Sequence, residues 1–147
     1  MRRKDPHRRS WKFSVACLLC LLALAPCSRA DVAVIVSASN HESMDAVTLA
    51  KIFMAQIYAF PSGETAQPVY QKVGTPVDEE FTGKLTKSMP VEVRRVWAGL
   101  VFTGGARRPR VLGSEDDVIE FVSKNPHAIG YVNPDKVHGD VRVIMKL

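Results

Sequence analysis

The sequence predicts an α/β fold: one domain with a mixed, mostly parallel sheet flanked by helices. Three observations predict it. Short apolar runs alternate with segments of helical period from Asp31 to Leu147. The first run, Asp31-Val32-Ala33-Val34-Ile35-Val36, is nearly continuous, the pattern of a strand covered on both faces. Proline, glycine and capping residues punctuate the boundaries between runs.

In order, the strand at Asp31–Val36 opens into the polar loop Ser37-Ala38-Ser39-Asn40-His41-Glu42-Ser43. A helix from about Asp45 to Gln56 puts Leu49, Ile52 and Phe53 on one face. Phe60-Pro61-Ser62-Gly63 is a turn, and Pro68 to Val73 a second strand. Gly74-Thr75-Pro76-Val77-Asp78 starts a helix with Thr75 as N-cap and Pro76 at its first position, and Val77, Phe81 and Leu85 line its buried face. After Pro90 comes the most regular amphipathic helix, with Val93, Val96, Trp97, Leu100 and Val101 on one stripe. Thr103-Gly104-Gly105 stops it, and Arg107, Arg108 and Arg110 follow around Pro109.

Val111-Leu112 reads as a short extended piece, and Ser114-Glu115-Asp116-Asp117 as a capping box for a helix that buries Val118, Phe121 and Val122. Asn125-Pro126 ends that helix. Ala128–Val132 and Val141–Met145 are the last strands, and the sheet is expected to be largely parallel in its first half.

The beginning of the chain changes what the composition means. A basic stretch (Arg2, Arg3, Lys4, Arg8, Arg9, Lys12), an apolar run from Val15 to Ala25, and Ser28-Arg29-Ala30 have the layout of a signal peptide cut between Ala30 and Asp31. The apolar run is short of the roughly 20 residues that a permanent anchor needs. Pro26 before Cys27 spoils a lipoprotein box, and Arg8-Arg9-Ser10-Trp11 only weakly resembles a twin-arginine signal. Export to the periplasm is therefore expected.

Seven of the 20 basic residues and one of the 15 acidic residues precede Asp31, which leaves 13 basic against 14 acidic beyond it. The formal charge of +5 belongs to the leader, so a nucleic-acid partner has no electrostatic footprint. All 3 cysteines, Cys17, Cys20 and Cys27, lie in the leader too. A domain without cysteine in an oxidising compartment is held by packing alone.

Spacing argues against an enzyme, a metal or a cofactor. His41, His127 and His138 sit in loops without ligand-like intervals, and beyond the leader no cysteine nucleophile or HExxH pattern is present. Oxyanion binding is the chemistry on offer, because helix starts present free N–H groups, and three hydroxyl-bearing loops precede helices. These are Ser37/Ser39/Asn40/Ser43, Gly74/Thr75 and Gly113/Ser114. Asp78 and the Glu115-Asp116-Asp117 run place negative charge at two of those starts, which the arginines either offset or leave while remaining solvated. On the residues alone, an anion site and a plain polar surface stand level.

Together, Val36–Asn40, Leu49–Met54, Phe60–Gly63, Gln71…Gly74-Thr75…Phe81, Trp97…Phe102-Thr103-Gly104, Gly113–Asp116 and Asn125–Val132 are specific in order and spacing. The chain resembles the short, single-domain relatives of phosphate ABC transporter substrate-binding proteins, of the type 2 periplasmic-binding superfamily. The resemblance runs from about Val34 to Val143 and implies a single periplasmic α/β lobe with an oxyanion ligand, phosphate foremost. It implies ligand contacts at Ser37, Ser39, Asn40, Gly74 and Thr75. Where that pattern often has an arginine three positions after its Ser, this chain has Asp78.

The leading expectation is thus a solute-binding-like, non-catalytic domain taking a small oxyanion, with ABC-type uptake as the context that the resemblance implies. Its ligand set would be Ser37, Ser39, Asn40, Gly74, Thr75 and Ser114, with Arg107 or Arg108 supplying charge. The alternative is a periplasmic interaction module that keeps the fold without a ligand and docks a membrane transporter or envelope protein through the arginine loop.

Overall fold

The first strand, β1 (Ala33–Ser37), is buried along its whole length, as its unbroken apolar run requires. In the computed structural model, which describes residues 31–147, it lies inside a five-stranded sheet between β4 (Ala128–Val132) and β5 (Val141–Lys146). The expected leader, its expected cut after Ala30 and the three cysteines lie outside the described residues. The other strands are β2 (Gln67–Gln71) and β3 (Arg110–Leu112), and the order across the sheet is β3-β2-β4-β1-β5.

β2 pairs in parallel with β3 and β4, whereas β1 pairs antiparallel with β4 and β5. The sheet is mixed, with four strands running one way and β1 against them. This corrects the parallel first half: β4 separates β1 from β2, so no β-helix-β crossover joins those two as neighbours. The apolar content of a strand records its burial but not its direction.

The helices are α1 (Ala46–Phe53), α2 (Pro76–Thr86), α3 (Pro90–Phe102) and α4 (Glu115–Lys124). α1 ends three residues before the expected Gln56, where Ala55 turns to a φ of +57° and the Gln56 N–H reaches back to the Lys51 carbonyl. Pro90 begins α3 instead of merely separating it from α2, at the position where a missing N–H costs nothing. Gly104, at φ +74°, takes the left-handed turn that stops α3.

Strand alternation sorts the core onto two faces. Val34, Val36, Tyr70, Ile129 and Tyr131 pack with Leu49, Phe53, Phe81, Val93 and Trp97 of α1, α2 and α3. On the other face Ile35, Val69, Ala128 and Val132 meet Val118, Ile119 and Val122 of α4. Within the α3 stripe Val93 and Trp97 are buried, but Val96 faces solvent.

α4 sits so close to β4 that a Cβ on Gly130 would lie 2.7 Å from a Val118 methyl and 3.2 Å from one of Val122. Gly130→Ala is therefore expected to lower stability by about 1–3 kcal/mol in urea unfolding. Adding Val118→Ala should return part of that loss, so that the two changes are non-additive.

Candidate functional site

Strand direction divides the sheet into two ends. At the carboxyl end of β2, β3 and β4 lie Lys72 to Thr75, Gly113 and Ser114, and the beginning of β1, since Ala33 pairs with Val132. At the amino end lie Pro126 and His127, Arg107 to Pro109, and the end of β1, since Val36 pairs with Ile129 and Ser37 with Val141. A five-residue strand spans about 16 Å. The eight residues expected to share one ligand are thus split: Gly74, Thr75 and Ser114 at one end, and Ser37, Ser39, Asn40, Arg107 and Arg108 at the other. They do not converge on one small anion, and neither arginine supplies charge at Thr75 or Ser114.

At the carboxyl end, Lys72 donates its N–H to the Leu112 carbonyl at 3.1 Å, which sets the two loops side by side. Gly74 takes a φ of +87° and Thr75 caps α2, its hydroxyl accepting from the Asp78 N–H at 3.3 Å. Pro76 has no N–H to offer, and among the described residues no hydrogen bond takes the N–H of Gly74 or Val77. Both are donors at the positive end of the α2 dipole. Lys72, Val73 and Gly74 are exposed.

Ser114 is differently placed. Its hydroxyl accepts from the Asp117 N–H and its own N–H donates to the Asp117 carboxylate, each at 3.1 Å, which is the expected capping box. With Glu115 and Asp116 beside it, the start of α4 is occupied by its own carboxylates.

Asp78 does not complete a capping box at α2. Its carboxylate turns inward, is fully buried, and accepts from Arg94 Nη2 of α3 at 2.9 Å and from the Tyr131 hydroxyl of β4. Arg94 also donates to the Gln71 carbonyl at 3.2 Å and lies 3.7 Å over the Tyr70 ring. The Gln71 side-chain amide donates to the Tyr131 carbonyl at 2.8 Å, and the Gln71 N–H to the Tyr131 hydroxyl at 3.1 Å.

Burial, reinforced by the Asp78 charge, pushes the Tyr131 hydroxyl well above the usual phenol range; burial raises Tyr70 as well. Both rings stay neutral donors at ordinary pH. Among the described residues Asp78 Oδ2, Thr82 Oγ1, and Arg94 Nε and Nη1 are buried without hydrogen bonds, and the π face of Tyr70 partly offsets this for the guanidinium.

The negative charge expected to repel an anion at the α2 start is therefore paired with Arg94 beneath the surface. Arg94 has no place among the residues that the sequence singled out. The signal for it was there: it stands one residue after Val93 and three before Trp97, next to the buried stripe of an amphipathic helix.

At the amino end, the serine loop is tied down. The Ser37 hydroxyl is 3.0 Å from that of Ser39 and donates to the Ser123 carbonyl at 3.3 Å. Asn40 donates to the Pro126 carbonyl at 2.7 Å and accepts from the Glu42 N–H at 2.8 Å, while Arg142 of β5 donates to the Asn40 carbonyl at 2.9 Å. These groups serve the loop first. Two clefts open at this end: one of about 550 Å³ between the serine loop and the Phe60–Glu64 turn, and one of about 620 Å³ between the arginine loop and the start of β2. His127 lines both. Among the described residues no group of three or more potential metal ligands comes together, and no helix is long and apolar enough to cross a membrane.

No protein-family model and no curated protein sequence matches the chain. Solved structures do. An ABC-type phosphate transport receptor from Vibrio cholerae is similar with a TM-score of 0.60 at 16% identity, over 78% of this chain and 46% of that one. A protein of the phosphate ABC transporter substrate-binding type from Clostridium perfringens, solved with bound phosphate, gives 0.61 at 15% identity over 78% and 45%. A phosphate-binding-protein candidate from Planctomyces limnophilus gives 0.52 at 15% over 72% and 37%. The chain spans less than half the length of these proteins, and at such identities the likeness is one of fold. The α/β lobe implied by the sequence resemblance is the observed architecture: an open mixed sheet with helices on both faces, as in part of the phosphate-binding proteins.

Arg94→Met, which strands Asp78 in the core, is expected to lower the unfolding free energy by about 3–5 kcal/mol. Adding Asp78→Leu should recover more than half of that. Simple addition of the two losses would show that the side chains are not coupled.

Proposed function

We propose that this chain is an exported, periplasmic solute-binding-like domain that takes a small oxyanion, phosphate foremost, at the α2 start and catalyses no reaction. The observation that carries the reading is the inward turn of Asp78. Its pairing with Arg94 offsets the Asp78 charge, leaving the exposed Glu79 as the carboxylate of that first turn, while the N–H groups of Gly74 and Val77 are left without an acceptor among the described residues and the Thr75 hydroxyl can still donate. Lys72, exposed on the same loop, supplies the cation in place of Arg107 and Arg108. The solved phosphate-binding proteins of like fold support the choice of ligand, and the leader-like residues 1–30 support export. Association with ABC-type uptake is part of the same proposal and rests on the names of those structures.

Thermal unfolding of residues 31–147 with phosphate, sulfate and chloride at matched ionic strength tests the reading. At 100 Kd a ligand specific for the folded state adds about 2.7 kcal/mol, a shift of several degrees for a domain of this size. A phosphate-selective shift is expected, lost in Thr75→Val with Lys72→Glu and retained in Arg107→Glu with Arg108→Glu. No selective shift, or one abolished by the arginine changes alone, would overturn it.

A further inference from the structure

The cleft of about 620 Å³ at the amino end has the dimensions of a small-molecule site, and it lies a strand's length away from the α2 start. Its walls carry two kinds of chemistry. Trp97, 4% exposed, meets the cleft only through a carbon edge, because its indole N–H is committed inward to the Phe53 carbonyl at 3.0 Å and the Tyr70 hydroxyl at 2.8 Å. Tyr58 packs edge-on against Trp97 with ring centroids 6.4 Å apart and remains 44% exposed, and Pro68 and Pro109 add further apolar wall. A bare inorganic oxyanion would leave that surface wet; an apolar body would cover it.

The second chemistry is positive charge. Arg107 and Arg108 are exposed, and among the described residues neither forms an ion pair. Three other arginines are occupied, Arg94 by Asp78, Arg142 by the Asn40 and Glu42 carbonyls, and Arg110 by the Phe121 ring, while Arg95 on α3 is exposed but does not line this cleft. Among the described residues no carboxylate lines this cleft; Glu64 lies 3.7 Å from His127 and lines the neighbouring one. The loop carrying the two guanidinium groups is also held in shape, by the Gly105 N–H bonded to the Leu100 carbonyl at 2.9 Å and by Pro109.

We propose that this cleft is a second ligand site, for a small organic carboxylate with an aromatic or apolar body: the acid group on Arg107 and Arg108, the body against Trp97 and Tyr58. A guanidinium fork matches a carboxylate with two parallel hydrogen bonds, and an adjacent aromatic wall holds the remainder by burial. The site is separate from the α2 start and stands or falls independently of the phosphate reading.

A titration of the isotopically labelled protein, followed by amide chemical shifts, tests it with three probes: indole-3-acetate, its uncharged amide indole-3-acetamide, and acetate. Indole-3-acetate is expected to shift Gly104, Gly105 and His127, leave Gly74 and Thr75 unmoved, and bind about tenfold or more tightly than either control. Arg107→Glu with Arg108→Glu, both on an exposed loop, should weaken it by at least that factor. Absence of shifts at millimolar probe, equal binding of the amide, or shifts centred on Gly74 and Thr75 would each overturn the proposal.

Discussion

The ion pair between Asp78 and Arg94 is the constraint on which much of this structure depends. It ties α2 to α3, and through the Gln71 carbonyl and the Tyr131 hydroxyl it ties both helices to β2 and β4. A carboxylate at zero exposure is tolerable only with its cation in place, so any packing of α3 that moves Arg94 leaves a bare charge in the core. The aromatic residues around it share the task. Phe81 stacks on Tyr131 at 3.8 Å, Phe53 meets Tyr70 and Tyr131 edge-on, and the Trp97 N–H closes the network on the Tyr70 hydroxyl. Position and protonation are thus set together: burial keeps the phenols neutral, and neutral phenols can donate.

That pair also governs the surface above it. A carboxylate folded onto the cap occupies the free N–H groups of a helix start, as at α4 with Asp117 folded back on Ser114. α2 has an acid at the corresponding position, yet its carboxylate is spent inside. At this one position the two helices therefore differ, and the difference arises from a partner sixteen residues away in α3, while Glu79 of the same α2 turn stays exposed.

The direction of β1 has the second far-reaching effect. Because it runs against its neighbours, the serine loop that follows it emerges beside Pro126, at the same end of the sheet as the arginine loop and the far end from Thr75. Its polar groups are consumed in shaping that end, with Arg142 of the last strand clamping Asn40 and Glu42 from about a hundred residues away. The amino end thereby becomes a scaffold for two clefts.

Strands, helices, most of their boundaries and their caps were legible in the sequence by itself, because each depends on residues within a few positions: the apolar run of β1, Thr75 before Pro76, the Ser114–Asp117 box, and glycines after α3. The α/β class followed from their alternation. The candidate site was legible only in its parts. Hydroxyls and arginines could be named, but nothing local told that Arg107 and Thr75 lie at opposite ends of the sheet, or that Asp78 points inward. Strand direction, the reach of Arg94 and the grip of Arg142 were decided by tertiary structure, because each rests on contacts between segments distant in sequence.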